Sequence, residues 1–505
     1  MGALVVILIV FINFLNISMA EMPTKIKSIN IRRILGAPQM ELIWMQCKDA
    51  IKISLFAVGT AILIVYLVSF TRIADAVDGS IMPHEHIGLY VCFVGMAVII
   101  SVIAGLYPAI YSTSIQPALL LRGNFSHSDK GRLLRNALVG IQFVVSLILT
   151  IYALYIQVQT AYMNNYDKGF ESDAVIECKV PYGLSDKYHA LAEILSNRPE
   201  ITDLTFAAFD FFNPKGTNYG MMVGYKTYTC SFDLLPVDDH FLDFFNIQIV
   251  EGRGFRKGDM TNNEHPVIFN ELAKAKWELE LGADMYQAHL VGFARNYNYK
   301  PLQMPITPIA LQAVERQESD FWYFQYLYLK KAPGVSMEQM RQVLADDMMK
   351  LDATVKDSDV SIKLLEEKMQ ALYVKEATLS NLLMVSSIIS IIIAIIGILG
   401  LVHYETRFRK KEIAIRRVMG SGTVELLMLF NRIYIVIALV CFVIAIPVAM
   451  WIIDVWVREY PYQAPIPVWI FGVALVMLLV IIITTVSIKS YKAATDNPVD
   501  AIKAE

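Results

Sequence analysis

The sequence predicts a polytopic α-helical membrane protein of about seven spans, arranged as two related three- to four-helix units with one mixed α/β domain outside the bilayer. Three observations carry this prediction. Hydrophobic residues make up 55% of the 505-residue chain and charged residues 18%, with a mean hydropathy of +0.46, on the membrane side of soluble averages. Seven stretches have the apolarity and the ~20-residue length needed to cross a hydrocarbon core. They fall near 3–19, 53–71, 87–110, 136–158, 380–402, 432–453 and 467–488. The third observation is a phrase written twice, INIRRILGAP at 29–38 and IAIRRVMGSG at 413–422.

The repeat extends beyond those ten positions. Aligned from Lys27 and Lys411, Ile29 meets Ile413, Ile31 meets Ile415, Arg32-Arg33 meets Arg416-Arg417, Gly36 meets Gly420, and Glu41-Leu42 meets Glu425-Leu426. Such spacing is too long for a solenoid and fits two copies of a larger unit, a common plan for transporters. Each copy reads as span, basic segment, span, short outer loop, span and basic tail, over 1–123 and 380–505. Pro117–Arg122 closes the first tail and Pro498–Lys503 the second, with Tyr111 and Tyr491 ahead of the prolines. Residues 124–158 form a linker and an entering span, and 159–379 form the outer domain. No entering span or outer domain stands in that relation to the first copy. The economical expectation is an ancestral unit used twice whose opening part is missing, by truncation or by a late start.

The segment 3–19 has a competing reading as a signal peptide, because Ser18-Met19-Ala20 before Glu21 resembles a cleavage site. Met1-Gly2-Ala3-Leu4 offers no basic n-region, and the repeated phrase follows this segment just as it follows the span at 380–402. A true span is the better reading. Basic residues then orient the chain. Lys25, Lys27, Arg32, Arg33, Lys48 and Lys52 follow the first span. Arg122, Lys130, Arg132 and Arg135 follow the third, and Arg407, Arg409, Lys410, Lys411, Arg416 and Arg417 follow the fifth. The loops at Asp75–Glu85 and Asp454–Tyr462 are acidic or nearly neutral. The N-terminus and the large domain are therefore expected outside and the C-terminus in the cytoplasm. A net charge of -3 without a sustained basic face argues against nucleic-acid binding.

Residues 406–419, TRFRKKEIAIRRVM, have helix-forming composition and stop at Gly420. Glu412 and Arg416 stand in the favourable i,i+4 order. Ile413, Ile415, Val418 and Met419 supply apolar contacts, with the arginines directed to water or lipid phosphate. Pro38 and Thr423 are placed to start a second helix, with Glu41 and Glu425 near its positive end. A single basic loop of this kind reads as an anchor on anionic headgroups. Topology requires only charge, however, whereas here the order of isoleucines, arginine pair, glycine and glutamate is reproduced. That points to a docking surface for a protein that comes in pairs.

RKKEIAIRRVMGSG, followed by two spans and the terminal NPVDAIKAE, resembles the transmembrane domain of FtsX/MacB-type ABC transporter permeases. The duplicated arrangement is similar to Bacteroidetes permeases often described as antimicrobial-peptide or macrolide exporters. YMNNYDKGFESDAVIECKV, EGRGFRKGD, PVIFNELAKAKW and LVGFARNYNYKPLQMPITPIALQ resemble that family's periplasmic signatures. The departure is the lack of a first entering span and first periplasmic domain. The resemblance implies a non-catalytic mechanotransmission permease of the bacterial inner membrane, without cofactor or metal of its own. ATP would be bound by a separate cytoplasmic ATPase dimer, and peptide, drug or lipoprotein would be exported or extruded. Lipid and a periplasmic adaptor or outer-membrane partner are implied, but no nucleic acid. The residues carried over as ATPase contacts are Arg409, Lys410, Lys411, Glu412, Ile415, Arg416, Arg417 and Gly420, with Lys27, Ile31, Arg32, Arg33 and Gly36 in the first copy. The fuller basic run of the second copy suggests that it carries more of the coupling. An FtsX-like scaffold that regulates cell-wall enzymes is the alternative. A secondary transporter is disfavoured by spans with almost no internal charge.

In the outer domain, Asp173–Val180 and Phe321–Leu329 read as strands and 187–196 and 337–351 as helices. Residues 358–379 read as a helix running into the next span. Cys178 and Cys230 lie where an oxidising compartment allows a disulfide. The sequence contains no G-x-x-x-x-G-K-[ST], and His84-Glu85-His86 lacks the H-E-x-x-H spacing. Eight scattered histidines assemble no Ser/His/Asp constellation.

Overall fold

The computed structural model describes residues 11, 14, 28–29, 31–70, 82, 84–114, 129–212, 219–256, 259, 265–285, 288–314, 324–408 and 410–495. Helices α1 (Gln39–Val68), α2 (Ile87–Ser114) and α3 (Asp129–Asn164) come first. The outer domain follows with β1 (Val175–Lys179), α4 (Tyr188–Ser196), β2 (Ile201–Ala207), β3 (Tyr219–Tyr225), β4 (Tyr228–Val237), α5 (Phe241–Phe244) and β5 (Ile249–Gly252). It continues with β6 (His265–Asn270), α6 (Glu271–Trp277), β7 (Asp284–Met285), β8 (Ala288–Ala294), β9 (Ile309–Ala313), β10 (Tyr326–Lys331), α7 (Met337–Leu351), β11 (Ile362–Leu364) and α8 (Leu365–Ala371). Helices α9 (Val374–Phe408), α10 (Lys410–Val418), α11 (Thr423–Val457) and α12 (Trp469–Thr495) close the chain. The chain divides into a transmembrane unit, 1–155 with 380–454 and 466–505, and an extramembrane unit, 156–379 with 455–465.

Among the described residues, six helices are long and apolar enough to cross a membrane: α1, α2, α3, α9, α11 and α12. The expected span at 3–19 lies outside the described residues except for Phe11 and Phe14, which are helical. Helix α1 starts at Gln39, well before the apolar stretch read from the sequence. Its first turns bury Leu42, Ile43, Cys47 and Ala50, and packing continues the helix through Lys48, Asp49 and Lys52, which a hydropathy window scores against it. Within the transmembrane unit, helices meet through small and hydroxyl-bearing residues, as expected where lipid removes the hydrophobic drive to associate. Ser146 and Thr150 of α3 meet Ser390 and Ser387 of α9 at 2.5 and 2.7 Å. The Cys441 thiol of α11 donates to the Gly140 carbonyl at 3.3 Å, an approach that the missing Gly140 side chain permits.

The extramembrane domain is built on one mixed sheet in the order β11-β1-β10-β2-β4-β9-β6-β8-β5, with β3 beside β4 and β7 beside β8. Most neighbours are antiparallel, but β4 with β9 and β6 with β8 are parallel. The sheet falls into two halves, since β2 and β4 are joined at the single pair Ala207–Val237. On the first half, Leu191 and Leu195 of α4 and Met340, Leu344 and Met348 of α7 form a core with β1 and β10. Ser336 and Gln339 close α7 with a capping box. On the second half, Ala273 and Trp277 of α6 cover β4, β6 and β8. A third core holds Phe211, Phe241, Phe244, Phe245, Tyr297 and Tyr328, with Phe211 and Phe245 rings 4.6 Å apart.

The expected strand at 173–180 and helices at 187–196 and 337–351 correspond to β1, α4 and α7. Residues 321–323 of the other expected strand lie outside the described residues, and β10 begins at Tyr326. The helix expected over 358–379 is divided. Ile362–Leu364 pairs with β1 as an edge strand, α8 follows, and Leu372 and Tyr373 separate it from α9. Backbone pairing with β1 draws the first residues into the sheet, while Leu365 and Met369 are buried from α8. Cys178 and Cys230 are free thiols in separate cores, and burial pushes Cys178 up to about 12.

Asp238, just after β4, accepts hydrogen bonds from the Thr205 hydroxyl at 2.5 Å and the Phe206 amide at 2.8 Å. Burial outweighs both and pushes its carboxyl up to about 7. A raised folded-state value contributes stability below the ordinary carboxylate range and loses it as pH rises through the folded value. The domain's unfolding midpoint is therefore expected to fall as pH rises from about 4 towards about 7 and to level off above it. Asp238→Asn should flatten that slope in thermal melts.

Candidate coupling site

Each copy of the repeated phrase folds as a short helix, a tight turn and a long helix. In the first copy residues 31–34 are helical, and in the second α10 fills that place. Both end in the same hydrogen-bonded stop. Gly36 donates its amide to Arg33 O and Ala37 to Arg32 O, each at 3.0 Å. Gly420 and Ser421 donate to Arg417 O and Arg416 O, again at 3.0 Å. This is the Schellman arrangement, in which a left-handed residue after the helix satisfies its last carbonyls. Gly36 and Gly420 supply it, with φ of 94° and 100°. An added Cβ would meet nothing within 4 Å at either position, so glycine is needed for its backbone conformation and not for space. The capped carbonyls belong to the arginine pair in both copies.

Side chains match as closely as the backbone. Ile29 and Ile413 are buried. Ile31 and Ile415 are 52% and 53% exposed, Ile34 and Val418 66% and 68%, and Leu35 and Met419 81% and 80%. Two helices far apart in sequence thus present the same apolar ridge, flanked by exposed Arg32 and Arg416. Sequence alone groups Ile413, Ile415, Val418 and Met419 together as apolar contacts. The structure separates Ile413, which packs inward, from the other three. Positions two apart on a helix do not share a face.

The copies differ in their fastenings. Arg33 donates from Nη1 to the Thr113 carbonyl near the end of α2 at 2.7 Å, and Gln39 reaches Thr113 Oγ1 at 3.4 Å. Arg32 Nη1 lies 3.0 Å from Met45 Sδ. In the second copy Arg416 pairs with Glu412 at 2.8 Å, and Glu425 reaches back to the Gly422 amide at 3.3 Å. Pro38, at the matching helix start, has no amide hydrogen for Glu41 to accept. Lys27 and Arg409 lie outside the described residues, as do the side chains of Lys410 and Lys411.

A second constellation, with no signature in the sequence, lies in the extramembrane unit. Gln159, buried near the outer end of α3, donates to Tyr462 O and accepts from the Ala464 amide, both at 2.8 Å. It thereby holds the loop between α11 and α12 as a strand partner would. Tyr462 donates its hydroxyl to Asn298 at 2.8 Å, and the Tyr373 hydroxyl accepts from the Leu302 amide at 3.3 Å. Met163, Leu302, Tyr373 and Tyr460 pack as one apolar cluster. Among the described residues, no group of three or more His, Cys, Asp or Glu is placed to hold a metal. His84 and Glu85 lie 3.8 Å apart in an exposed turn.

Among the described residues, six span-length apolar helices, a duplicated elbow and a mixed-sheet domain define a multi-pass membrane protein with an extramembrane domain. Residues 1–117 and 384–498 both match the FtsX-like permease C-terminal family. The two matched segments, together just under half of the chain, are similar to FtsX-like permeases, a family of the inner membrane whose members work with ABC ATPases in general. Among solved structures, the periplasmic region of MacB from Actinobacillus actinomycetemcomitans is similar at 15% identity and a TM-score of 0.30, over 41% of this chain and 96% of that one. The extracellular domain of the ABC-type transporter YknZ from Gram-positive bacteria is similar at 11% identity and a TM-score of 0.28, over 37% and 99%. No curated protein sequence matches the chain.

Proposed function

We propose that the protein couples a separate cytoplasmic ABC ATPase dimer to its periplasmic domain, without catalysing a reaction itself, and so drives export or extrusion of a peptide, drug or lipoprotein. The observation that carries this reading is the repeated apolar ridge. Two equal ridges beside basic side chains match a partner that presents two equal grooves, one per ATPase subunit. The basic residues of the elbows support a cytoplasmic position for this face and an N-terminus outside. The Gln159 constellation supplies the outer end of the relay, because it ties α3, the α11–α12 loop and the domain into one packed group.

Charge reversal at Arg416→Glu with Arg417→Glu tests the assignment. Stimulated ATPase activity in proteoliposomes is expected to fall about tenfold or more, the scale of losing a binding contact worth ~1.4 kcal/mol. The companion swap Glu412→Arg with Arg416→Glu keeps the intrahelical pair while inverting the outward charge. It separates lost docking from a weakened helix. Unchanged ATPase co-purification and stimulation in the double reversal would overturn the assignment.

A further inference from the structure

Strand β3 lies off the main order of the sheet and pairs with β4 alone among the described strands. From Gly220 to Tyr225, the backbone groups on its other edge face no described strand. Exposed edges of this kind are ordinarily blunted by lysine, proline or a bulge. The seven residues of β3, YGMMVGY, contain no charge and no proline, and their register with β4 runs without a bulge. Met221, Val223 and Tyr225 pack against the core that holds Ala273 and Trp277. Gly220, Met222 and Gly224 face outward, and Met222 is 70% exposed. A Cβ added at Gly220 or Gly224 would meet nothing within 4 Å, so open space flanks the methionine on both sides.

The order of residues along this edge points to its occupant. YGMMVGY reads almost the same in both directions about Met222. An antiparallel strand of the same sequence, centred there, sets Tyr219 against Tyr225, Gly220 against Gly224 and Met221 against Val223. The two Met222 side chains then meet on the axis. Such a contact is isologous, the form that closes as a two-fold dimer. We propose that β3 pairs with β3 of a second copy, so that one sheet runs through both extramembrane domains. Each Met222 thioether reaches across a glycine of the second copy, a diagonal neighbour within range of a long side chain. No like charges stand opposite each other along the pair. One strand pair buries less than the ~1,200 Å² of a stable soluble complex, but two copies held in one bilayer meet at raised effective concentration.

Oxidative cross-linking of the full chain in lipid vesicles, without nucleotide or ATPase, tests the pairing independently of the coupling role. Cys92, the exposed member of the five free cysteines, is first changed to serine. Met222→Cys is expected to give a disulfide-linked dimer in at least about ten times the yield of Gly220→Cys or Gly224→Cys alone. Each glycine stands four residues, ~13 Å, from its own counterpart in this register, whereas a disulfide spans at most ~7 Å between Cα atoms. Chains carrying Gly220→Cys and Gly224→Cys, mixed in one membrane, should link to each other. Adding Met222→Lys to both members of that mixture sets two ammonium groups face to face and should lower the yield at least about tenfold, with the circular dichroism unchanged. No link through Met222→Cys, or equal linking by Gly220→Cys alone, overturns the proposal. A monomer with slow amide exchange over residues 220–224 would assign the edge to another segment of this chain. A monomer with fast exchange there would leave it to an extended peptide, and both results overturn the proposal.

Discussion

Replacing Lys368 by methionine is expected to destabilise the extramembrane domain by about 3–5 kcal/mol, the cost of stranding buried charge. Lys368 Nζ lies 2.6 Å from Glu177 Oε2 and 2.5 Å from Asp210 Oδ1, and all three side chains are largely shielded from water. Burial holds the Glu177 carboxyl above its ordinary range, and the neighbouring Asp210 charge raises it further against the pull of Lys368. Without the ammonium, two carboxylates face each other with no counter-ion. A carboxyl raised in the folded state contributes stability below its unfolded value and loses it as pH rises through the folded value. The gap in melting temperature between variant and wild type should therefore narrow as pH falls from about 7 to about 5. A gap that stays constant across that window would show that the loss comes from packing. Because Lys368 sits on α8, immediately before α9, hydrogen exchange should also rise at the start of α9.

Ile415→Asp with Met419→Asp should cut ATPase affinity by at least about a hundredfold, since burying two such side chains contributes about 1.5–3 kcal/mol each. Both are exposed, and surface changes of this kind usually alter stability by no more than about 0.5 kcal/mol. The variant should therefore remain folded and inserted while losing its partner. Should these side chains only rest in the headgroup region, detachment of the helix from lipid would leave ATPase binding intact, and a sedimentation or pull-down assay distinguishes the outcomes. The matching change at Ile31 and Leu35 is expected to cost less. Arg33 fastens that elbow to α2, which leaves it less free to adjust to a partner.

Much of the architecture was legible because membrane spans and amphipathic elements leave local periodic signals. The repeat, β1, α4 and α7 all lie in stretches whose own pattern decides them. The sheet order was not legible, because pairings such as β4 with β9 join residues whose neighbours in sequence say nothing about each other. Ile362–Leu364 read as helix because Ser361–Ala371 is rich in helix formers. Pairing with β1 overrode that local preference. At the elbows, the glycine stop and the arginine pair were visible in the text, since a left-handed residue needs glycine. The ridge was not, because apolar residues crowded into two turns cannot be sorted into inner and outer faces until something packs against one of them. Gln159 gave no signal at all, being one polar residue near a span's end whose partners lie on Tyr462 and Ala464.

That glutamine differs in kind from the ionic pin at Lys368. Its amide offers one donor and one acceptor to backbone groups and carries no charge at any pH. The attachment it makes cannot be titrated, and dissolved salt has no net charge there to screen. A joint of this kind keeps the same setting whether the surrounding fluid is acidic, brackish or dilute. The hold of Gln159 on the α11–α12 loop is thus independent of the medium, and variation in the medium would have to act elsewhere in the domain.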